Sequence, residues 1–288
     1  MRGPLCARVS QALALGAFYE PLVNPKPGGT TRVEEWRGMN VYIFHRASAA
    51  LGIALHSACN IRGCRDGRLW TPITEYLNSL ESLGLTGVNA NSGTFMLLVH
   101  LALAWDSPSQ RAEDLAVAAS RELSSCSGLE DAKAYYYMLS RAGPGYLGKY
   151  EGPLGDVRGE PRLGLARIVR NTAWDLVHRE LAYGYPLSLQ VYRRLLRWGV
   201  EEQAVSKIIL ELLGDYGDTL IARRHGWRAY YKAMSEARIA LKMGARSGDY
   251  DGWVLWLRKN WSRRGWTPGA VLDIVATGLG LYFYSRLV

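Results

Sequence analysis

A helix that is apolar on nearly every face has to be surrounded by other elements, and residues 266–276 spell such a helix with a carboxylate set inside it. The run is Trp266-Thr267-Pro268-Gly269-Ala270-Val271-Leu272-Asp273-Ile274-Val275-Ala276. Thr267 reads as an N-cap and Pro268 as the first helical residue. On that phase the turn neighbours of Asp273 are Gly269, Ala270, Ala276 and Thr277, a small, polar-tolerant face. Val271, Leu272, Ile274, Val275 and Leu279 cover the remaining faces, so the helix belongs in a core. An unpaired charge there costs several kcal/mol, roughly, unless it is protonated, paired or holding a cation. Asp273 is therefore either a structural carboxylate paired with a basic side chain, or one facing a metal or substrate.

The rest of the chain supplies the surroundings. Helix signals dominate and alternating β-branched runs are scarce, which makes this an all-α chain. Helices are expected at Asn40–Cys59, Thr71–Leu83, Thr94–Trp105, Leu163–Tyr183, Leu187–Trp198, Glu201–Leu213 and Gly226–Met243. Ser107-Pro108-Ser109-Gln110 and Ser127-Gly128-Leu129-Glu130 read as capping boxes, opening helices to about Ser124 and to Gly143-Pro144. No flexible linker divides the 288 residues, so the expectation is one multi-helix bundle domain over 1–288. Two irregular stretches, Pro21 to Arg37 and Gly143 to Pro161, are long for structureless loops in a compact domain and are expected to be functional.

A net charge of +9 favours anionic partners: nucleic acid, an acidic membrane surface or phosphate-rich small molecules. The arginines are spread over helices rather than gathered in a tail, and the Trp and Tyr residues fall at helical spacing, which makes nucleic acid the weaker reading. Neither Thr94–Trp105 nor the Asp273-containing C-terminal run is a good bilayer span, and the N-terminal run Ala12–Phe18 reads as a first helix rather than a leader. A cytoplasmic location follows. Cys6, Cys59, Cys64 and Cys126 show no paired metal-binding spacing and read as buried thiols.

Several segments bear candidate chemistry. Gly143-Pro144-Gly145-Tyr146-Leu147-Gly148 has the letters of a dinucleotide fingerprint but follows a helix instead of a strand, which excludes that fold. In Asn24-Pro25-Lys26-Pro27-Gly28-Gly29 two prolines hold one lysine, either as a phosphate ligand or as part of a rigid surface loop. Gly87-Val88-Asn89-Ala90-Asn91-Ser92-Gly93 precedes an apolar helix, where Asn89 is a ligand-facing amide or an ordinary N-cap. Asp175 lies four residues before Arg179, as a surface ion pair or as a site carboxylate. Asp215-Tyr216-Gly217-Asp218-Thr219 sets two carboxylates beside Arg223, Arg224 and His225, an array that holds a metal with a phosphate or simply caps a helix.

Taken in order, these segments resemble the triphosphoribosyl-dephospho-CoA synthase family over nearly the whole chain. Pro25-Lys26-Pro27-Gly28 with Glu20 upstream matches its first motif, and Gly87-Val88-Asn89 its second, with Ala90 in place of threonine. Asn91-Ser92 replace the His-Lys of bacterial members, and Gly93 stands at a family glycine. Asp156-Val157 and Arg158-Gly159-Glu160 resemble motifs of two different branches. Asp175 with Glu180, Asp218-Thr219 with Arg224 and Gly226, and Thr267-Pro268-Gly269 with Asp273 complete the series, closest to the archaeal-type branch.

The resemblance implies a pentosyltransferase that moves the 5-triphosphoribosyl group of ATP to the 2′-hydroxyl of 3′-dephospho-CoA and releases adenine. The departures at Ala90, Asn91 and Ser92 leave a different acceptor in coenzyme biosynthesis open, as they leave a homo-oligomer open. Such a reaction suggests Asp218, Asp273 and Asp175 as catalytic residues and as ligands of Mg²⁺ on the triphosphate. Lys26, Arg223 and Arg224 would neutralise phosphate oxygens, joined by the amides of Gly269 and Ala270, and Asn89 would orient a ribose or base edge.

Overall fold

In a computed structural model, described over residues 3–108, 110–143 and 159–288, the chain is all-α, as its sequence predicts. The helices are α1 Gly3–Tyr19, α2 Val41–Asn60, α3 Trp70–Ser82, α4 Ser92–Ala104, α5 Ala112–Cys126, α6 Leu129–Ala142, α7 Leu165–Asn171, α8 Leu176–Tyr183, α9 Pro186–Trp198, α10 Glu202–Tyr216, α11 Thr219–Ser247, α12 Tyr250–Arg264 and α13 Gly269–Leu287. A single bridge between Trp36 and Met39 is the one β-type pairing among the described residues. Pro144–Arg158 lie outside them, and with them most of the glycine-rich Gly143–Lys149 segment and Asp156-Val157.

The enclosed helix is α13. Ala270, Val271, Leu272, Ile274, Val275, Leu279 and Leu281 are all buried, and α1, α9, α4, α8 and α10 pack around it. Its length and apolarity would suffice to cross a bilayer, yet most of its surface is buried in the bundle. Small residues set the closest crossing. A methyl group added at Gly16 of α1 would lie 2.0 Å from Ala276 O and 2.3 Å from Gly280 N, so the two backbones nearly touch and no larger residue fits.

Several local expectations give way to longer-range partners. The Ser107 box does not open a helix: Gln110 Oε1 accepts from Asp106 N at 3.0 Å, one residue too early for a capping box, and α5 starts at Ala112. At α6 neither Ser127 nor Glu130 forms the cap. Asp66, from the α2–α3 loop, accepts from Gly128, Glu130 and Asp131 N–H at 2.8, 2.9 and 3.0 Å. The helix expected over Leu163–Tyr183 is two, because Asp175 takes the Val177 and His178 N–H groups and starts α8 anew. α11 begins before its expected start and carries a kink at Gly226, φ 82° and ψ 168°. The cysteines are not free thiols: Cys6–Cys59 joins α1 to α2, and Cys64–Cys126 joins the following loop to the end of α5. Their separations of 53 and 62 residues place each pair on neighbouring elements that local spacing does not reveal.

Candidate active site

Four helix N-termini, those of α4, α8, α11 and α13, meet at one place, and side chains tie each to the next. Asp273, in the second turn of α13, accepts from Thr94 N and Thr94 Oγ1 of α4 at 3.1 and 2.6 Å. Asp218 caps α11 through Leu220 and Ile221 N–H at 2.9 and 3.0 Å, and its other oxygen takes Val271 N–H of α13 at 2.8 Å. Thr219 Oγ1 accepts from Leu176 N of α8 at 3.1 Å and donates to Asp175 Oδ2 at 2.9 Å. Each N-terminus brings the positive end of its dipole, and the carboxylates that take its first N–H groups show the junction favouring anions.

Asn89, Ser92, Gly93, Tyr135, Leu139, Asp175, Val177, Leu220, Arg223, Ala270 and Asp273 line a cavity of about 70 Å³ at this junction. That is room for a few water molecules or a hydrated cation. Asp273 is partly exposed to it. Both Thr94 hydrogen bonds go to Oδ1, and Oδ2 has no hydrogen-bond partner among the described residues. Gly93 makes this possible: a methyl there would lie 2.1 Å from Asp273 Oδ2. Burial raises the Asp273 carboxyl to about 7 against the opposing Thr94 hydrogen bonds, so near neutrality it holds or releases a proton with little bias.

Asp175 behaves differently. Burial pushes its pKa up, but Arg223, His178, Thr219 and the α8 N–H groups more than offset this and hold it below the ordinary value. Arg223 Nη2 lies 3.1 Å from Asp175 Oδ2, so the predicted partner Arg179 is not the one used. Arg179 instead sits over the Tyr216 ring.

Behind the wall, Tyr135 reaches His178. Thr172 Oγ1 is 2.7 Å from Ile168 O, which only accepts, and 2.6 Å from His178 Nδ1. With its one hydrogen on Ile168, Thr172 accepts from Nδ1–H. His178 Nε2 is then the acceptor for the Tyr135 hydroxyl at 3.0 Å. Burial lowers His178 to about 4, which keeps the ring in this neutral form.

Of the residues expected from sequence, Asp273, Asp175, Asn89, Arg223 and Ala270 line the cavity. Asp218 does not. It is 0% exposed, both oxygens accept backbone N–H groups, and burial raises it to about 7, so it clasps α11 to α13 instead of facing a ligand. Lys26 is also 0% exposed. Its ammonium bonds the Glu20 carboxylate and the Glu20 carbonyl, so it ties down the Pro21–Arg37 loop and does not reach a phosphate in the cavity. Burial draws Lys26 below its ordinary pKa and Glu20 above its own, and each partner partly restores the other. Arg258 holds the same loop from outside through Gly29 O at 2.9 Å and the Glu34 carboxylate.

Arg224 is half-buried and off the cavity wall, and Gly269 is covered by Leu220, whose Cδ2 would lie 2.6 Å from an added methyl. Glu180 is buried and caps α9 through Leu187 and Ser188 N–H at 2.9 and 2.7 Å. Thr267 accepts from Trp36 Nε1 at 2.9 Å and leaves capping of α13 to Asp218. Thr94, Gly93 and the Tyr135–His178 pair were not singled out as site chemistry. Thr94 opening an apolar helix is the one of these with a local signal. Among the described residues no group of three or more acidic, histidine or cysteine side chains gathers as a metal site. Two carboxylates, Asp175 and Asp273, do share the cavity, a set that suits Mg²⁺ when phosphate oxygens complete the shell.

A family model described as ATP:dephospho-CoA triphosphoribosyl transferase matches residues 6–287. No curated protein matches the chain in sequence. Among solved structures, the chain is similar to an Archaeoglobus fulgidus protein named as a triphosphoribosyl-dephospho-CoA synthase, with TM-score 0.62 and 20% identity over 84% of this chain and 98% of that one. At that identity the likeness speaks for the fold alone.

Proposed function

The chain belongs to the ATP:dephospho-CoA triphosphoribosyl transferase family, and on that premise we propose that it transfers the 5-triphosphoribosyl group of ATP to the 2′-hydroxyl of 3′-dephospho-CoA, with adenine as the leaving group. The chain is thus a transferase, and its substrates carry phosphate, in keeping with its net charge of +9. In the reaction the bond from the ribose anomeric carbon to adenine breaks and a bond to the acceptor oxygen forms. The acceptor hydroxyl gives up one proton and adenine leaves with one, so the exchange balances.

The observation that carries the reading is Asp273: a carboxylate with one oxygen fixed by Thr94 and the other facing a cavity ringed by helix N-termini. Asp273 takes the acceptor proton, for which a base with pKa about 7 is well matched near neutrality. Asp175, held ionised by Arg223, supports the positive charge that develops on the ribose in an oxocarbenium-like state. Arg223 and the α-helix N-termini receive phosphate oxygens, and Asn89 orients a hydroxyl or base edge. Mg²⁺, held by Asp175 with the triphosphate oxygens, would neutralise phosphate charge and leave Asp273 free to act as the base.

The test is mass spectrometry of the protein with ATP and a panel of hydroxyl acceptors. Adenine release that depends on dephospho-CoA, with a product carrying both moieties, is the expected result. Release that is indifferent to dephospho-CoA, or faster with another acceptor, overturns the acceptor assignment.

A further inference from the structure

The cavity has room for the reacting atoms but not for a purine, so the bases of nucleotide substrates lie outside its walls. At its rim stands a group of aromatic rings that the mechanism above does not use. Trp174, Trp227 and Tyr231 are 42%, 51% and 59% exposed. Trp174 and Trp227 meet edge to face, with centroids 5.9 Å apart and planes at 64°. Trp227 also contacts Tyr230 at 5.2 Å and Tyr231 at 6.5 Å. Tyr230 is anchored from below by its hydroxyl on Tyr216 O at 2.5 Å. An edge-to-face pair leaves at least one face of each ring uncovered by the other, and the half-buried Tyr230 anchors the group.

Two connections join this shelf to the cavity. Trp174 directly precedes Asp175, so the cap that starts α8 also fixes where Trp174 emerges. Arg223, which lines the cavity and bonds Asp175, lies over the Trp174 ring at 5.3 Å. One guanidinium therefore spans from the carboxylate in the cavity to the aromatic rim. The kink at Gly226 falls between Arg223 and Trp227, and it separates the segment that lines the cavity from the one that carries Trp227, Tyr230 and Tyr231. Open aromatic faces beside a cation suit a planar base that carries phosphate, because every base offers a π face to stack and its phosphate a charge to pair.

We propose that Trp174 and Trp227, flanked by Tyr231 and Arg223, form a purine-stacking subsite that holds the adenine of a substrate nucleotide just outside the cavity. The proposal rests on the transferase reading for the identity of the base, since ATP and dephospho-CoA both carry adenine. It does not depend on turnover for its test.

Calorimetric titration of the full chain and of the Trp227→Leu and Trp174→Leu variants, with ATP, dephospho-CoA and inorganic triphosphate in turn, separates the cases. Trp256→Leu, at an exposed tryptophan of α12 that does not line the cavity, is the control. Loss of one stacked ring weakens binding by about 5- to 150-fold. Loss confined to ATP assigns the shelf to the donor, and loss confined to dephospho-CoA assigns it to the acceptor. Triphosphate, which has no base, binds all forms alike. Unchanged affinity for both nucleotides in both shelf variants overturns the proposal, as does an equal loss for triphosphate or for the Trp256 control. If wild type yields no transfer product while the shelf variants still lose nucleotide affinity, the transferase reading fails and the shelf stands. If the shelf variants form product with wild-type KM for both substrates, the shelf fails and the reading stands.

Discussion

Asp218 and Asp273 are the same residue type, lie close to the same helix start, and are both raised to about 7 by burial. They nevertheless do different work. Every oxygen of Asp218 is engaged by backbone N–H groups of α11 and α13, whereas one oxygen of Asp273 is engaged by Thr94 and the other is turned to the cavity. Glu180, on the N-terminus of α9, sits with the first, and the Lys26–Glu20 pair is likewise closed on itself. Asp175 is intermediate, capping α8 on one side and meeting Arg223 at the cavity on the other. A perturbed pKa therefore marks burial, and the direction of the unbonded oxygen separates a carboxylate closed on the scaffold from one open to a ligand.

The comparison breaks most visibly at its closed end. Replacing Lys26 with Met leaves Glu20 buried without its partner and should cost about 3–5 kcal/mol in denaturant unfolding, while the KM for ATP of the folded fraction stays at the wild-type value. A rise in that KM with stability unchanged would return Lys26 to the phosphate site.

At the open end, Asp273→Asn keeps the shape and removes the proposed base. Turnover measured by adenine release should fall at least ~100-fold, about 2.7 kcal/mol of barrier, with the fold retained. Near-wild-type turnover would move the base elsewhere. Asp218→Ala should do the reverse: about 1–3 kcal/mol of stability lost as buried N–H groups of α11 and α13 lose their acceptor, with the KM of folded molecules little changed. Loss of turnover without loss of stability would contradict its role as a clasp.

The smallest effect sharpens the comparison through pH. Because the folded pKa of Asp273 is raised, the stability linked to it is present below the unfolded carboxylate value of roughly 4 and is lost as pH rises through about 7. Asparagine does not titrate there. The melting temperature of Asp273→Asn relative to wild type should therefore climb between pH 5 and pH 8, roughly the interval over which wild-type turnover also climbs as the base ionises. A constant difference across that interval would mean that Asp273 does not titrate in it.

What the sequence made legible follows from how local each interaction is. The enclosure of α13 was readable because its apolar residues crowd all faces within a few turns. Asp273 stood out against that background, and Asn89 next to an apolar helix start did too. The order of the motifs carried the family. Caps supplied from elsewhere were not readable: Asp66 outcompetes the Ser127 box at α6, and Asp218 replaces Thr267 at α13, because a carboxylate reached through the fold binds several N–H groups at once. The partner of Lys26 was visible only as an upstream glutamate, and nothing in the spacing said that both would be buried. Tyr135 gave no signal because it lies in a Tyr-Tyr-Tyr run where each ring looks alike, and only packing turns one of them toward His178.

The two sulfur bridges are unevenly placed. Residues 6–59 and 64–126 are closed into consecutive covalent rings, and the second ring contains α4 with Thr94 and the loop with Asn89. The opposite bank, from α8, α11 and α13, contains Asp175 and Asp273 and has no such tether. The candidate site thus lies between a stapled half and an unstapled one. A reductant slackens the bank that presents Thr94 and leaves the one that presents Asp175 and Asp273 under the restraint of packing alone, as before.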